Sequence, residues 1–290
     1  MTHIAYLGTG LLGSAFVQAA VTRGDHVAVW NRTIEKARAL EPLGVRVAAT
    51  PVDAVRGATR VHLVLKDDAV VDAVIAALRP ALAHDTIIVD HTTTQPALTA
   101  ERARRLNAEG VRYLHCPVFI GPAAARESQG TLLASGPKAL FEAVKGDLAH
   151  MASRIEYFGE RPDLAAVYKL CGNALIIGIS ALVSDVLSVA SESHVAPADA
   201  LRLLEMFNPS AIIAGRGKNM AAGRFDASFE LTMARKDVRL MMESAGAYPL
   251  AALPAIAARM DDLIAQGHGA EDLAVIGKDA VNGRAAGHFA

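Results

Sequence analysis

Lys169 and Asn173 are two residues whose types and spacing suit proton transfer. They are four positions apart in a stretch with helical character, so both side chains project from one helix face. A lysine whose pKa is lowered by a few units from about 10.4 can protonate a forming alkoxide and deprotonate an alcohol near neutral pH. The Asn173 amide can hold the ammonium or the reacting oxygen. On the residues alone, an exposed lysine and a surface asparagine explain the spacing better.

A glycine-rich turn follows the first apolar run of the chain. Residues 4–7 are typical of a buried strand, and they precede Gly8-Thr9-Gly10-Leu11-Leu12-Gly13, an amphipathic segment and a second apolar run. Strand, glycine turn, helix and strand within about 28 residues indicate a dinucleotide-binding βαβ unit. Gly8 allows the tight turn, Gly10 the approach of a pyrophosphate, and Gly13 the packing of helix on strand. The helix N-terminus adds free N–H groups and partial positive charge.

The end of the second strand indicates which dinucleotide binds. NAD-selective sites usually have Asp or Glu there for the ribose 2′-hydroxyl, whereas NADP sites use arginine. This chain has Asn31-Arg32-Thr33. Because no carboxylate repels a 2′-phosphate and Arg32 can make a forked contact, we expect NADP. The alternative is a solvated arginine that opens the next helix.

Length, composition and charge exclude several classes of protein. The 290 residues have room for two domains, and a hydrophobic content of 52% excludes a disordered chain. A net charge of −1 gives no electrostatic case for nucleic acid or an anionic membrane. Two distant cysteines and the lack of a basic N-terminal region favour a reducing cytoplasm, without disulfides or a signal peptide.

Neither a membrane span nor a metal site is expected. The apolar stretch 175–183 is interrupted by Ser184 and Asp185, well short of the roughly 20 residues that a span needs, so we predict a buried helix. His91 and His115 lack partners at the spacing of metal ligands. We therefore expect each of them to be either hydrogen-bonded or exposed to solvent.

Strands alternate with helices as far as residue 158. Strands are predicted near residues 45–48, 61–65, 86–89, 113–116, 131–134 and 155–158, and helices near 33–40, 70–78, 96–107 and 138–150, with a short helix after Pro51. This alternation predicts an α/β fold whose N-terminal Rossmann domain has a mostly parallel sheet covered on both faces.

Beyond residues 159–162 the pattern is helical throughout. The first helix, over 164–193, is about 45 Å long at 1.5 Å per residue and could bridge two domains. Further helices are predicted near residues 198–207, 212–221, 231–245, 251–265 and 271–281. We therefore expect a Rossmann domain over 1–162 and an all-α domain over 163–290.

Together these motifs resemble those of the β-hydroxyacid dehydrogenases, which include 3-hydroxyisobutyrate and tartronate semialdehyde reductases and are related to 6-phosphogluconate dehydrogenase. Residues 7–13 are similar to the family's opening fingerprint and residues 29–33 to its NADP-type strand end. Residues 90–96 look like its Ser-Thr-x-x-Pro turn, residues 169–173 like its catalytic lysine and partner asparagine, and residues 236–238 like its Lys-Asp-Leu segment. Five matches in the right order, over nearly the whole chain, make the resemblance specific to this family.

The resemblance adds four positions to the cofactor site, namely Leu65, Lys66, Thr93 and Lys236. Thr93 would lie by the nicotinamide, and Lys236 would reach back to the cofactor. Lys66 alternatively faces water. Alternatively, Lys236 belongs to a charged helix face that is exposed to solvent.

One segment departs from the family's pattern. The family typically has Asp-Ala-Pro-Val-Ser-Gly-Gly in its substrate loop, where serine and glycine amides grip a carboxylate. Here the substrate-bordering residues would be Pro117, Val118, Phe119, Ile120 and Gly121. The bulky Phe119 and Ile120 put a small hydroxyacid in doubt, and a larger or less polar carbonyl compound fits better. Alternatively, Phe119 packs under the loop.

The expected function is an NADP-dependent oxidoreductase that transfers hydride between NADPH and a carbonyl or hydroxy compound in a cleft between domains. Lys169 would be the general acid and base, with Asn173 as its partner. The resemblance also implies a homodimer. The closest alternative is an imine reductase, a relative that usually lacks the lysine; Lys169 argues against it and the apolar loop argues mildly for it. A catalytically idle dinucleotide-binding module is the alternative of another class, which Lys169 and Asn173 disfavour.

Overall fold

The computed structural model describes residues 3–206 and 208–282. The chain forms two compact units, Met1–Asn173 and Ala174–Ala290. This division lies inside a long helix, Leu164–Glu192, whose residues 164–173 belong to the first unit. The predicted domain boundary between residues 162 and 163 stays a prediction. The backbone N–H of Ala165 donates to Ser135 Oγ at 2.9 Å, and Ala165 and Ala166 are fully buried.

The first unit is built on a six-stranded parallel sheet. Its strands are β1 His3–Leu7, β2 His26–Trp30, β3 Arg46–Val47, β4 Arg60–Leu63, β5 Ile87–Asp90 and β6 Arg112–His115. The strand order is β3-β2-β1-β4-β5-β6, and every pair is parallel. The order reverses between β1 and β4, so the carboxyl ends of these strands border a crevice of the kind that binds ligands in such sheets.

Helices cover both faces of this sheet. They are α1 Leu11–Thr22, α2 Ile34–Arg38, α3 Pro51–Val55, α4 Asp68–Leu78 and α5 Pro96–Ala108. One core cluster contains Tyr6 and Phe16, and the other contains Leu7, Leu63 and Leu78. Strands buried on both faces read as continuous apolar runs, which explains their pattern in the sequence. The predicted Rossmann fold is confirmed.

The predicted strands near 131–134 and 155–158 form a separate small sheet. Its elements are β7 Val118–Phe119, α6 Pro122–Arg126, β8 Thr131–Ala134, α7 Lys138–Leu148 and β9 Arg154–Tyr157. β7 pairs antiparallel with β8, and β8 pairs parallel with β9. The prediction missed β7 and α6, which are too short to show a periodicity. Pro117, which has no N–H to donate, separates β6 from β7.

The second unit is helical. It contains most of α8 Leu164–Glu192, followed by α9 Pro197–Ala200, α10 Leu203–Met206, α11 Pro209–Ala221, α12 Leu231–Ser244, α13 Leu253–Ala265 and α14 Lys278–Asn282. The helix predicted over 198–207 is divided into α9 and α10, and its last residue, Phe207, lies outside the described residues. The helix predicted over 271–281 is a 3-10 turn, Leu273–Gly277, followed by α14.

The expectation that residues 175–183 form a buried helix is wrong for the single chain. Ile177 is 69% exposed, and its apolar neighbours are exposed as well. α8 has a mean hydropathy of 2.0 and is long enough to cross a membrane. A single helix of this kind is weak evidence for a membrane span. Asp185 is buried, however, and it accepts the backbone N–H groups of Ala251, Ala252 and Leu253 at 2.6–2.9 Å. This carboxylate ties α8 to the start of α13.

Candidate active site

The glycine turn after β1 is shaped by contacts that only glycine permits. Gly8 has a φ of +100°, and a Cβ there would overlap the Val64 carbonyl. A Cβ at Gly13 would overlap the Gly8 carbonyl, whereas a Cβ at Gly10 would meet open space. Gly8 and Gly13 therefore serve the packing of the turn. Gly10 leaves its surface free for a ligand to approach.

The N-terminus of α1 has the properties of an anion site. Its N-cap, Gly10, has no side chain to accept the first-turn N–H groups of Leu11, Leu12 and Gly13. The side chain of Leu11 is 84% exposed, while that of Leu12 packs partly on the core. Thr9 Oγ1 is buried without a hydrogen-bond partner in the described part of the chain. Unsatisfied donors and a buried orphan hydroxyl fit a pyrophosphate at this position.

Asn31 fixes the turn relative to the end of β2. Its Oδ1 accepts the Thr9 N–H at 3.1 Å, and its Nδ2 donates to the Thr33 carbonyl at 2.8 Å. The Gly8 N–H donates to the Trp30 carbonyl at 2.8 Å. The Asn31 side chain therefore joins the two segments that a dinucleotide would contact.

A cavity of 730 Å³ brings together seven of the predicted cofactor residues, which are Gly8, Gly10, Asn31, Arg32, Thr33, Leu65 and Lys66. Trp30 and Lys36 also line it, and the sequence prediction missed both. Lys36 lies three residues after Thr33, the N-cap of α2, and this spacing could have indicated it. Among the described residues, neither Arg32 nor Lys36 has a carboxylate at salt-bridge distance. Lys66 Nζ lies 3.8 Å from Asp67 Oδ2.

The turn after β5 does not bring Thr93 to that cavity. Thr93 is exposed and is not among the lining residues, whereas its neighbour Thr92 is buried. Thr92 Oγ1 accepts the Leu65 N–H at 3.1 Å, and the Thr92 N–H donates to Asp90 Oδ1 at 2.9 Å. Thr92 thus joins the ends of β4 and β5. The nicotinamide contact of Thr93 stays a prediction.

Buried histidines lie next to this turn, and no motif in the sequence indicated His62. His62 Nδ1 and His91 Nε2 are 2.9 Å apart, and His91 Nδ1 lies 2.7 Å from the Cys116 carbonyl. Because a carbonyl only accepts, His91 Nδ1 carries hydrogen, and His91 Nε2 accepts from His62 Nδ1–H. Burial lowers the pKa of His62 and lowers that of His91 to about 4. Both rings are therefore neutral at pH 7.

The structure brings Lys169 and Asn173 together on α8. Lys169 Nζ donates to Asn173 Oδ1 at 2.9 Å and lies 4.3 Å from the centroid of the Phe119 ring. Burial lowers the pKa of Lys169 below its ordinary value. The pair therefore forms a partly buried amine with one fixed hydrogen-bond acceptor, which is an arrangement suited to proton transfer.

The family model for the NAD-binding domain of 6-phosphogluconate dehydrogenase matches residues 3–159. The chain belongs to this family. It is an NAD(P)-binding oxidoreductase of the 6-phosphogluconate dehydrogenase type, and the predicted kinship with β-hydroxyacid dehydrogenases is confirmed.

Two curated relatives illustrate the range of the 6-phosphogluconate dehydrogenase-like group. Glyoxylate/succinic semialdehyde reductase 1 of Arabidopsis thaliana is 26% identical, over 86% of this chain and 89% of its own length. The cytokine-like nuclear factor N-PAC of Homo sapiens is also 26% identical, over 82% of this chain but 43% of its own length. The first relative is named as a reductase and the second as a nuclear factor.

Solved structures share the fold over both units. A reductive aminase from Aspergillus terreus, in complex with NADPH4, cyclohexanone and allyl amine, has a TM-score of 0.85 and 22% identity, covering 95% of this chain and 98% of that one. An imine reductase from Myxococcus stipitatus in complex with NADP+ has a TM-score of 0.84 and 21% identity, covering 94% and 98%. At these identities the likeness shows the fold alone.

In this 6-phosphogluconate dehydrogenase-like chain, two residues of the expected substrate loop, Val118 and Phe119, form β7 of the small sheet. Pro117 and Val118 are buried, Ile120 packs partly on the core, and Gly121 is the N-cap of α6. Phe119 is the member of this segment whose side chain contacts Lys169. The substrate-binding role of the segment stays a prediction.

Lys236 belongs to the second unit. It lies on α12 with its Nζ 2.8 Å from Asp237 Oδ1, so its described partner is the neighbouring carboxylate. Its predicted role at the cofactor remains untested. Across residues 3–206 and 208–282, no group of three or more His, Cys, Asp or Glu side chains could hold a metal ion.

Proposed function

We propose that this chain is an NADP-dependent oxidoreductase that transfers hydride between NADPH and a carbonyl or hydroxy compound, with Lys169 as general acid and base. The observation that carries this proposal is the Lys169–Asn173 pair. An amine 2.9 Å from an amide oxygen, with its pKa lowered by burial, is matched to proton transfer near neutral pH.

The chemistry requires one hydride and one proton. When bound, the nicotinamide of the cofactor supplies the hydride to the carbonyl carbon. The Lys169 ammonium gives its proton to the carbonyl oxygen, and the lysine is left as a neutral amine. In the oxidation direction that amine takes the hydroxyl proton. Asn173 Oδ1 can only accept, so it holds one N–H and thereby orients the others.

Arg32 and Lys36 support NADP as the cofactor, because both line the cavity and neither is paired with a described carboxylate. We expect NADPH to bind more tightly than NADH. Arg32→Ala should weaken NADPH binding about tenfold to a hundredfold, the value of a charge-assisted hydrogen bond, and leave NADH binding unchanged. Quenching of Trp30, the single tryptophan of the chain, gives the affinities. Equal affinities in the wild type would contradict NADP preference.

Lys169→Ala tests the mechanism. Turnover should fall about a hundredfold to ten-thousandfold, the usual contribution of a positioned acid or base, while NADPH affinity stays unchanged. Asn173→Ala should cost less, because Asn173 orients and does not transfer the proton. Lys145→Ala, on the exposed side of α7, is the matched control and should leave turnover unchanged. Near wild-type turnover by Lys169→Ala would end the proposal.

The substrate is tested with a panel drawn from the relatives. NADPH consumption is measured with glyoxylate, succinic semialdehyde, cyclohexanone, and cyclohexanone with allyl amine. Because Phe119 stands where the family has serine, we expect poor turnover of the small carboxylates. Phe119→Ser combined with Ile120→Gly should gain activity on glyoxylate. Efficient wild-type turnover of glyoxylate would contradict this interpretation of the segment.

Imine reduction is the second candidate, and the apolar Phe119 side chain beside Lys169 is the observation that favours it. NADPH consumption that requires both cyclohexanone and allyl amine, and that survives Lys169→Ala, would replace the first proposal with this one. An idle dinucleotide-binding module would bind NADPH and consume it with no member of the panel.

A homodimer is proposed because α8 exposes an apolar surface in the single chain. Its exposed residues include Leu175, Ile176, Ile177, Ile179 and Leu182. A contiguous apolar patch on a helix marks an interaction surface, and we assign it to a second copy of this chain. The tie between Asp185 and α13 supports a packed helical unit over a lipid-embedded helix. A cytoplasmic location remains part of this proposal.

A further inference from the structure

We propose that Phe119 is a positioning residue for Lys169, whose ammonium is held against the face of the aromatic ring. Gly172 leaves the space into which this ring packs. The inference rests on the proposed function for its effect on turnover. Its effect on the ionisation of Lys169 can be measured without turnover.

Two neutral groups fix the Lys169 ammonium. Asn173 Oδ1 accepts one N–H at 2.9 Å, and the ring of Phe119 lies on another side with its centroid 4.3 Å from Nζ. An ammonium has three N–H bonds and is attracted to the electron-rich face of a ring at this distance. One N–H is therefore left for a substrate oxygen. Among the described residues, no carboxylate lies at salt-bridge distance from Nζ to compete for it.

Gly172 makes the position of the ring possible. It lies in α8 between Lys169 and Asn173, and a Cβ there would come within 2.7 Å of Phe119 Cε1. Glycine is a poor helix former, so a glycine at this helix position weakens the helix unless a neighbour needs the space. Phe119 fills that space. Phe119 of β7 therefore packs together with Gly172 and Lys169 of α8.

The ring has two opposing effects on the ionisation of Lys169. Its face stabilises the ammonium, which raises the pKa, and its bulk excludes water, which lowers it. Burial is the cause of the lowered pKa of Lys169, and no charged group adds to it. Phe119→Leu keeps an apolar cover and removes the aromatic face. The pKa of Lys169 should therefore fall further, by about 0.5 to 1.5 units.

The first experiment measures that ionisation directly in the full chain. Acetic anhydride labels the neutral amine, and the rate at Lys169 is followed against pH by mass spectrometry of its peptide. In Phe119→Leu the midpoint at Lys169 should move to lower pH. Labelling of the exposed Lys145 is the internal control and should be the same in all variants. Coincident wild-type and Phe119→Leu midpoints at Lys169 would overturn the proposal.

The second experiment moves the ring without touching it. Gly172→Ala should displace Phe119 and lower kcat about threefold to thirtyfold with little change in KM, and the high-pH limb of kcat should shift to lower pH. Gly146→Ala is the matched control, because its Cβ meets open space in the exposed part of α7. Equal behaviour of the two alanine variants would overturn the role of Gly172. Midpoints that shift at Lys169 in a protein without turnover would support the Phe119 inference while refuting the proposed function.

Discussion

The two units differ in how much of their apolar surface is covered within a single chain. In the first unit, helices cover both faces of the sheet, and the glycine turn that we propose binds the cofactor is packed within the same chain. In the second unit, α12 and α13 share a core, yet α8 leaves its apolar side exposed. α12 buries Leu231, Ala234 and Val238 at helical spacing, whereas α8 exposes Leu175, Ile176 and Ile177. This difference supports the proposal that one chain forms the cofactor site, whereas a second copy of the chain covers the apolar surface of α8.

The largest expected effect is on association. Ile176→Glu combined with Ile177→Glu should raise the dimer Kd about a thousandfold, or about 4 kcal/mol, because charges would enter an apolar interface. Sedimentation at several concentrations measures it. Leu43→Glu, an exposed apolar residue of the first unit, is the control and should leave Kd unchanged. NADPH binding should survive in both variants. A monomeric wild type would remove the contrast between the units.

Asp185→Ala should destabilise the second unit by about 3 kcal/mol. The substitution leaves three backbone N–H groups near the start of α13 without their acceptor. Urea unfolding is followed by far-UV circular dichroism and by Trp30 fluorescence, which reports the first unit. The helical signal should shift and the Trp30 transition should not. Asp261→Ala, in an exposed pair with Arg235, should cost less than about 1 kcal/mol. Equal shifts of both probes would show that the units unfold as one.

Acid should weaken the first unit more than the second. The pKa of His91 is lowered from 6.5 to about 4, so its contribution is complete above pH 6.5 and is lost as pH falls towards 4. Between neutral pH and about pH 5 this amounts to about 2 kcal/mol, and the lowered pKa values of His62 and His115 act in the same direction. The Trp30 transition should therefore move to lower urea concentration. An unchanged midpoint across this range would contradict the buried neutral histidines.

The smallest effect is expected at Gly10, in contrast to Gly13 of the same turn. Gly13→Ala should destabilise the first unit by more than about 3 kcal/mol, because its Cβ would overlap the Gly8 carbonyl, a backbone group that cannot move aside. Gly10→Ala should leave the unfolding midpoint unchanged and weaken NADPH binding at least about tenfold. If Gly10→Ala bound NADPH normally, the turn would not approach the pyrophosphate as proposed.

Much of the first unit could be predicted from the sequence, because its signals are local. Apolar runs, the glycine turn and the strand end at Asn31 each lie within a few residues, and the cavity brings most of them together. The Lys169–Asn173 pair was also predictable, since helix geometry alone aligns residues four apart.

The remaining features depend on contacts between distant segments. The His62–His91 pair joins two strands, and the Phe119–Gly172 contact joins β7 to α8, so neither spacing has a local signature. The exposure of α8 could not be predicted because an apolar helix looks the same whether its own chain or another covers it. β7 has two residues, too few for an alternating pattern.

The His62–His91–Cys116 chain has a consequence for how the sheet can be observed. Each ring donates its Nδ1 hydrogen to one buried acceptor, His62 to His91 Nε2 and His91 to the Cys116 carbonyl, and both rings are almost fully shielded from water. Such a hydrogen exchanges with solvent only when the surrounding structure opens. The exchange of the two imidazole hydrogens therefore reports on local opening of the β4–β5 region. Their exchange lifetimes record how often the carboxyl ends of these strands separate, independently of any reaction at the site.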